Sequence, residues 1–249
     1  LLANVAQVQM LIDITQRDQV LNVLPTFHAF GLLGGVLLPL FKGTPTYQYP
    51  SPLHYRIIPE LCYQLGVTCL FGTTTFLRGY ARNAQAYDFY AMRFVISGAE
   101  KMTEEVEQLW HEKFGIRIFE GYGATEASPV LAVNNPLANH RGSVGQLVTG
   151  MSHYIQPVAG IEHGGELVVS GPNVMLGYLF HGSDGEIIPP LTESHGAGWY
   201  ETGDIVEVND GGFITIKGRA KRFSKIGGEM GAPAAVEELA IGLWPDHTH

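Results

Sequence analysis

Short apolar runs alternate with stretches of helical spacing through the first half of the chain. Four runs have the length and apolar content of buried strands, and they cover residues 18–24, 67–71, 93–96 and 115–119. Between them, apolar residues recur at helical spacing over residues 2–14, 55–65 and 103–114. Gly66 and Gly115 directly follow two of these segments, where a helix commonly ends. The alternation predicts an α/β fold with a mostly parallel sheet and helices on both faces.

The pattern changes after about residue 134. Short β-like runs replace the helical segments, at residues 143–148, 153–158, 166–170, 204–208 and 213–217. Asp210-Gly211-Gly212 between the last two runs is a strong hairpin signal. We therefore expect an α/β part over residues 1–134 and a small antiparallel β-barrel or sandwich over residues 135–218. Residues 219–249, with helical spacing at 233–242, are expected to form a hinge and the start of a C-terminal domain.

Composition narrows the class of protein. Of the 249 residues, 45% are hydrophobic and 16% are charged, which is typical of a soluble globular chain. The net charge of −9 lacks the basic footprint of a nucleic-acid binder, so we expect no nucleic-acid partner. The longest apolar run, residues 30–41, falls well short of the ~20 residues of a membrane span. Cys62 and Cys69 show no paired metal-ligand pattern.

The candidate chemistry centres on residues 121–126, which follow the strand at 115–119. Tyr122 offers a ring face to a purine, and the flanking Gly121 and Gly123 permit close approach of the backbone. Thr125 can donate a hydrogen bond to phosphate, and Glu126 can supply an oxygen ligand to Mg²⁺. The alternative is a plain strand-to-helix turn with Thr125 as N-cap, and the stretch on its own favours that alternative.

A second polar segment, Ser97-Gly98-Ala99-Glu100, follows the strand at 93–96. Ligands of parallel α/β sheets bind outside the carboxyl ends of the strands. Because both segments follow strands of the expected sheet, we expect them to line one crevice.

Five short motifs, in this order and spacing, resemble those of the acyl-adenylate-forming synthetases, a family that includes acyl-CoA synthetases, luciferases and peptide-synthetase adenylation domains. They lie at residues 25–31, 97–100, 121–126, 200–204 and 218–221, and we expect each of them to be a loop. Each motif alone is weak, but the five together cover essentially the whole chain. Segments 24–31, 49–56, 71–77, 98–101 and 218–226 most closely resemble one branch. That branch is the acyl-(acyl-carrier-protein) synthetase half of the bacterial bifunctional 2-acylglycerophosphoethanolamine acyltransferases.

The resemblance implies roles for the residues that match the family motifs. Tyr122 would stack on the adenine of ATP, between Gly121 and Gly123. Gly98, Ala99 and Glu100 would line the crevice for adenine and the acyl group with backbone atoms.

The charged positions receive roles in the same way. Thr125 would contact the α-phosphate and Glu126 would hold Mg²⁺. Asp204 would accept hydrogen bonds from both ribose hydroxyls, and Arg219 would reach the ribose or a phosphate. The alternatives are an acid at the edge of a hairpin for Asp204 and a surface arginine for Arg219.

The remaining matches concern the acid and the domain motion. His28 would position the substrate carboxylate, although a histidine in an apolar loop is as often a satisfied core residue. Lys221 matches the hinge about which the family's small C-terminal domain rotates, and Lys225 and Gly228 match the loop that then swings toward the nucleotide.

The implied reaction is activation of a fatty acid by ATP and Mg²⁺ to acyl-AMP, followed by transfer to the phosphopantetheine thiol of acyl carrier protein. The product would feed reacylation of a lysophospholipid by an acyltransferase domain outside this chain, at the cytoplasmic face of the bacterial inner membrane. The family's phosphate loop would precede Leu1 and its C-terminal catalytic lysine would follow His249. We therefore expect a fragment that is soluble and that alone does not form the adenylate.

Three alternatives remain open. A fatty acyl-CoA synthetase of the same superfamily differs only in its thiol acceptor. A catalytically silent nucleotide-binding module is disfavoured because Asp204, Glu126 and Arg219 are all present. A structural or membrane-docking protein is disfavoured because the sequence has no amphipathic basic helix.

Overall fold

The computed structural model describes residues 1–192, 196–222, 224–226 and 229–231. The chain divides into two compact units, Leu1–Gly150 and Met151–His249. Gly228 and the helix expected at 233–242 lie outside the described residues. No helix within the described part of the chain is both long and apolar enough to cross a membrane.

A seven-stranded sheet forms the centre of the first unit. Strands β1 to β7 are Val20–Asn22, Thr46–Gln48, Cys69–Gly72, Phe94–Ser97, Ile118–Gly123, Val130–Val133 and Gln146–Leu147. They lie in the order β2-β1-β3-β4-β5-β6-β7. Strands β1 to β5 pair in parallel, whereas β6 and β7 join the sheet antiparallel. The predicted, mostly parallel α/β sheet is confirmed.

Six helices of the described residues belong to the first unit. Helices α1 to α6 are Leu2–Leu11, Ala29–Leu32, Leu38–Lys42, Ile57–Leu65, Thr74–Asn83 and Glu104–Phe114, and the π-helical turn Leu33–Leu37 joins α2 to α3. Gly66 and Gly115 follow α4 and α6 with φ of 60° and 69°. Both glycines close their helices in the left-handed conformation, as their position in the sequence predicts.

Helices cover both faces of this sheet. Leu70 of β3 belongs to a buried cluster with Leu77 of α5 and Trp110 of α6, and the indole Nε1 of Trp110 donates to the Leu77 carbonyl at 3.0 Å. Successive strand residues point to opposite faces, so the adjacent Phe71 faces the other side. There its ring lies 3.1 Å from the position of a Cβ at Gly34 in the π-helical turn. Each face therefore excludes water through a separate helical layer.

The second unit is built from antiparallel strands. Strands β8 to β17 are Ser152–Gln156, Gly165–Ser170, Tyr178–Leu179, Ile187–Ile188, Leu191–Thr192, Gly196–Ala197, Trp199–Val208, Ile214–Arg219, Ser224–Ile226 and Glu229–Gly231. Four of them form a sheet in the order β15-β14-β9-β8. The remaining six form two-stranded pairs, β10 with β11, β12 with β13, and β16 with β17. The turn Asp210-Gly211-Gly212 joins β14 to β15, as the hairpin signal predicts.

Two features at the end of the first unit differ from the sequence prediction. The run at 143–148 was expected in the barrel subdomain, but its strand β7 pairs with β6 of the large sheet. The first unit consequently ends at Gly150, later than the expected boundary at residue 134. The division of the chain into three parts stays a prediction.

Candidate functional site

Three of the predicted motifs meet at the carboxyl edge of the large sheet. Ser97, the last residue of β4, pairs with Glu120 of β5. A Cβ placed on the next residue, Gly98, would lie 3.5 Å from the Gly121 carbonyl oxygen and 3.2 Å from the ring of Phe30. The segments around residues 97–100 and 121–126 are therefore neighbours, and Phe30 brings the 25–31 motif to the same place. The two segments expected to line one crevice are therefore adjacent in the first unit.

The two glycines around Tyr122 are strand residues, which corrects their assignment to a loop. Gly121 pairs with Val133 and Gly123 with Val130 of the antiparallel strand β6. A Cβ on Gly123 would lie 2.2 Å from the Pro129 carbonyl oxygen, whereas a Cβ on Gly121 would have its nearest neighbour at 3.5 Å. Gly123 is therefore needed so that the backbone at Pro129 can pack against strand β5. Of the two glycines, only Gly121 leaves space beside the backbone.

Thr125 and Glu126 follow in a short 3-10 turn, Thr125–Ala127. The residue at the N-cap position is Ala124, and no side chain caps the turn. The alternative in which Thr125 caps a helix is therefore wrong, because Thr125 is already the first residue of the turn. Thr125 is exposed, and both Glu126 and the nearby Tyr122 are half-buried.

The segment after β4 is held in a defined conformation. Ala99 has a φ of 68°, which is uncommon for a residue with a Cβ. The exposed Glu100 accepts the backbone N–H of Thr75 through Oε2 at 2.8 Å. A carboxylate at the first turn of a helix is favoured by the helix dipole and by the unpaired N–H groups there. Glu100 thus ties this segment to the start of α5.

His28 occupies the N-cap position of α2. Its Nδ1 accepts the backbone N–H of Phe30 at 3.2 Å, and the residue is exposed. The alternative of a buried core histidine is therefore wrong. Because Nδ1 is an acceptor, the neutral ring carries its proton on Nε2. The Phe30 ring that follows packs edge-on against Phe71 at 5.9 Å.

In the second unit, Asp204 and Arg219 form an ion pair across β14 and β15. The two residues are direct partners in the ladder, and Arg219 Nε lies 2.9 Å from Asp204 Oδ1. The Asp204 side chain is 7% exposed, but the Arg219 side chain is 62% exposed. The second guanidinium nitrogen also donates to the Thr202 carbonyl at 3.5 Å. The pair thus has a fixed, buried carboxylate and an accessible cation.

A bulge in β14 sets this geometry. The 200–204 motif was expected as a loop, but it lies within the strand, and the ladder with β9 shifts between Glu201 and Ile205. Gly203 at the shift has a φ of 72°, and the Asp204 N–H bonds to the Thr202 hydroxyl at 3.1 Å. Bulges re-aim side chains at sites of this kind. The glycine is what allows the strand to turn Asp204 toward Arg219.

Glu166, on the neighbouring strand β9, belongs to the same cluster and received no role from the sequence. Its Oε1 accepts the N–H of Gly203 at 3.1 Å. Burial raises the pKa of Glu166, the carboxylates of Glu201 and Asp204 raise it further, and the Gly203 bond lowers it. No motif marks this residue, because its position depends on the register of β9 against β14.

Glu120 is the second residue that sequence reasoning missed. It directly precedes Gly121, and burial raises the pKa of its carboxyl to about 7, with a further contribution from Glu107. A shifted pKa beside a crevice is a physical indicator of function. The only signal in the sequence was its place at the end of a buried strand.

Two further expectations concern the metal and the hinge. No group of three His, Cys, Asp or Glu residues within the described ranges could hold a metal ion. Mg²⁺ needs only one or two protein carboxylates when substrate phosphates supply the other oxygens, and the half-buried Glu126 fits that requirement. Lys221 lies exposed in the 3-10 turn Ala220–Arg222, and its role as hinge stays a prediction.

Comparison with known proteins gives consistent matches. A family model described as AMP-binding enzyme matches residues 1–179. The chain is 32% identical over 235 residues to a long-chain-fatty-acid–CoA ligase of Yersinia pestis, covering 90% of this chain and 40% of that protein. It is 31% identical over 237 residues to a 4-coumarate–CoA ligase of Pinus taeda, covering 90% of this chain and 43% of that protein. The chain thus spans less than half the length of these relatives.

Solved structures share the fold. ATP-bound MatB from Rhodopseudomonas palustris superposes with a TM-score of 0.82 at 25% identity, over 96% of this chain and 47% of that one. O-succinylbenzoate coenzyme A synthetase (MenE) from Bacillus subtilis, in complex with ATP and magnesium ion, superposes with a TM-score of 0.82 at 23% identity. That match covers 97% of this chain and 50% of that one.

Proposed function

Because the chain belongs to the AMP-binding enzyme family, we propose that the protein activates a carboxylic acid with ATP and transfers the acyl group to a thiol. In the first step a carboxylate oxygen attacks the α-phosphorus of ATP, which forms acyl-AMP and releases pyrophosphate. In the second step a thiol attacks the acyl carbon, which forms a thioester and releases AMP. No covalent bond to the protein is needed, so the protein acts by positioning its substrates and by stabilising charge.

The observation that carries the proposal is the meeting of the Gly98 and Gly121 segments at the carboxyl edge of the sheet. We assign this crevice to the adenine of the nucleotide, with the half-buried Tyr122 as its stacking partner. Gly98 and Ala99 contribute backbone groups, and the bond from Thr75 to Glu100 holds their segment in place. Rigid support of this kind lowers the entropic cost of binding a planar base.

Thr125 and Glu126 follow directly and are assigned to the phosphates. The exposed Thr125 hydroxyl can donate to an α-phosphate oxygen, and the Glu126 carboxylate can ligate the Mg²⁺ that accompanies ATP. When bound, the ion offsets negative charge on the phosphate oxygens. His28 is assigned to the carboxylate of the acid, because its exposed ring can donate from Nε2.

Asp204 is assigned to the ribose. An ionised carboxylate can accept hydrogen bonds from two adjacent hydroxyls, and the ion pair with Arg219 fixes the position of the buried Asp204 carboxylate. The exposed guanidinium of Arg219 remains available to an oxygen of the ribose or phosphate. Lys221, directly after this hairpin, is assigned to the hinge.

We propose a fatty acid as the substrate, since the relative from Yersinia pestis is named for long-chain fatty acids. Coenzyme A and acyl carrier protein present the same phosphopantetheine thiol, and the relatives named above are CoA ligases. The motifs of the chain favour acyl carrier protein, with lysophospholipid reacylation at the inner membrane as the destination of the acyl group. The intact protein can be incubated with labelled fatty acid, ATP and either coenzyme A or acyl carrier protein. The thioester that forms identifies the acceptor.

The test of the activation step is ATP–pyrophosphate exchange by the intact protein. We expect exchange that depends on fatty acid, and we expect Asp204→Asn to lower the apparent ATP affinity about tenfold, the loss expected for charged hydrogen bonds. Glu207→Gln is a matched control on the same strand, because the half-exposed Glu207 forms a solvent-facing ion pair with Lys217 at 2.8 Å. Binding of ATP without any exchange would instead support a silent nucleotide-binding module.

A further inference from the structure

A buried side chain of α1 pairs with the backbone of strand β6. Asn4 donates from Nδ2 to the carbonyl oxygen of Val130 at 2.8 Å, and its Oδ1 accepts the Val130 N–H at 2.9 Å. An amide presents a donor and an acceptor side by side, which matches the two peptide groups of one strand residue. Asn4 therefore binds the first residue of β6 as a neighbouring strand would.

The remaining amide hydrogen of Asn4 is also used. It is donated to Gln7 Oε1 at 3.0 Å, and Gln7 Nε2 donates to the Thr149 carbonyl at 2.8 Å. A buried polar group destabilises a fold unless it is hydrogen-bonded, so these pairings explain why α1 can bury two amides. The two residues together hold the start of β6 and the segment just after β7.

Val130 lies where the chain re-enters the sheet after the turn Thr125–Ala127. It is the ladder partner of Gly123, the last residue of β5. The preceding residue, Pro129, accepts the Ala124 N–H at 2.9 Å through its carbonyl oxygen. The base of the turn is thus closed by the segment that α1 holds.

Tyr122 is held by a different set of contacts. It pairs with Ala132 of β6, and Ala132 also pairs with Leu147 of β7. Three adjacent strands therefore support the ring-bearing residue, whereas Val130 lies two residues before the ladder between β6 and β7. Loss of the bonds from Asn4 should consequently displace the turn more than it displaces Tyr122.

Resting on the proposed function, we propose that Asn4 is a positioning residue for the groups that contact the phosphates. By fixing Val130, it fixes the turn that presents the Thr125 hydroxyl and the Glu126 carboxylate. Asn4 acts through the backbone and does not itself touch the nucleotide. Mg·ATP, which uses these two groups, therefore depends on Asn4, whereas adenosine, which uses the adenine and ribose contacts, does not.

The experiment is binding of Mg·ATP and of adenosine to the intact protein, measured by calorimetry. Asn4→Ala removes both bonds to Val130. We expect the dissociation constant of Mg·ATP to rise about tenfold, as for one lost charged hydrogen bond, and that of adenosine to change by less than about twofold. A loss for adenosine as large as that for Mg·ATP, or an unchanged constant for Mg·ATP, overturns the inference.

Gln7→Ala is the matched control on the same face of α1. It removes a buried amide and one bond to the sheet, at Thr149, but leaves both bonds from Asn4 to Val130. A merely structural role of the helix would give the two variants the same binding profile. We expect Gln7→Ala to lower the urea midpoint while both dissociation constants stay within about twofold of wild type. The same selective loss of Mg·ATP in both variants contradicts the inference.

A second substitution at the same position separates loss of the bonds from loss of volume. Leucine has the same branching and the same number of side-chain heavy atoms as asparagine, so Asn4→Leu removes the bonds to Val130 without leaving a cavity. We expect the same selective loss of Mg·ATP affinity. If Asn4→Ala does not unfold cooperatively in urea, the comparison with Gln7→Ala is made with Asn4→Leu.

Failure of the proposed function is distinguishable. If the wild-type protein binds neither ligand, the nucleotide assignment fails. The positioning role is then decided by amide hydrogen exchange at Ala124, Ala127 and Ser128, whose N–H groups are bonded within this turn. We expect about tenfold less protection there in the Asn4 variants than in Gln7→Ala. Equal protection in the two sets of variants overturns the role.

Discussion

The contrast between Gly123 and Gly121 gives a sharp test of how the crevice is built. A methyl group at Gly123 would lie 2.2 Å from the Pro129 carbonyl oxygen and 2.8 Å from its carbon, well inside a contact distance of ~3.5 Å. Backbone atoms cannot rotate away, so β5 and the following turn must separate. Overpacking of this kind costs about 1–3 kcal/mol. The separation would also weaken the hydrogen bond from the Ala124 N–H to the same Pro129 oxygen, at 2.9 Å, which contributes about 1 kcal/mol.

We therefore expect Gly123→Ala to lower the free energy of unfolding of the first unit by about 2–4 kcal/mol. A methyl group at Gly121 meets its nearest atom, the Ala132 carbonyl oxygen, at 3.5 Å. Since alanine also restricts the unfolded chain, Gly121→Ala should be neutral or stabilise by up to ~1 kcal/mol. Urea unfolding of the intact protein, followed by circular dichroism, measures both changes. Equal losses of unfolding free energy, or a larger loss for Gly121→Ala, would refute the conclusion that close packing of the Pro129 backbone requires glycine at position 123.

Two further predictions concern groups at the two ends of the sheet. Arg93→Gln should cost about 2–3 kcal/mol in urea unfolding at pH 7, because Arg93 lies 2.7 Å from the Asp18 carboxylate, which is buried. Burial alone would raise the pKa of Asp18, but bonds from Thr15, Thr68 and Arg93 lower it. The stabilisation by this ion pair is therefore fully present above pH 3.8, the ordinary pKa of the group, and is lost as the pH falls through the lower pKa of the folded state. The difference in unfolding free energy between wild type and variant should consequently shrink in acid. A constant difference would contradict this. Glu100→Gln should cost about 1 kcal/mol in the same assay, because it removes the charge that accepts the Thr75 N–H at the start of α5, and an unchanged midpoint would count against that cap.

The elements with a strong local signal were predicted well. Gly66 and Gly115 end helices where the sequence places them, because a left-handed residue after an apolar helical segment is a local requirement. The parallel order of β1 to β5 also follows from the alternation of strand and helix along the chain.

The part that was missed depends on contacts between distant residues. Strand β6 brings Val130 and Val133 back alongside Gly123 and Gly121, and nothing in residues 121–123 alone distinguishes a paired strand from an open loop. Glycine has low strand propensity, so a sequence pattern ends the strand too early. The bulge at Gly203 was missed for the same reason. The glycine made the 200–204 motif resemble a loop, whereas these residues lie within β14.

Candidate site residues divide in the same way. His28, Asp204 and Arg219 were named by motif, yet the cap at His28 and the ion pair between the other two emerge only from the fold. Glu120 and Glu166 belong to no motif. Their shifted pKa values arise from burial and from carboxylates on neighbouring elements, which no linear pattern contains.

The most direct test of the central claim follows an oxygen atom. Fatty acid labelled with ¹⁸O in its carboxyl group is incubated with ATP, Mg²⁺, a phosphopantetheine thiol and the intact protein, and the nucleotide product is analysed by mass spectrometry. Attack of the carboxylate on the α-phosphorus, followed by cleavage of the acyl C–O bond by the thiol, leaves one labelled oxygen in AMP. Label in AMP is the result the proposed function predicts, whereas thioester formation with label in inorganic phosphate and with ADP as product would contradict it.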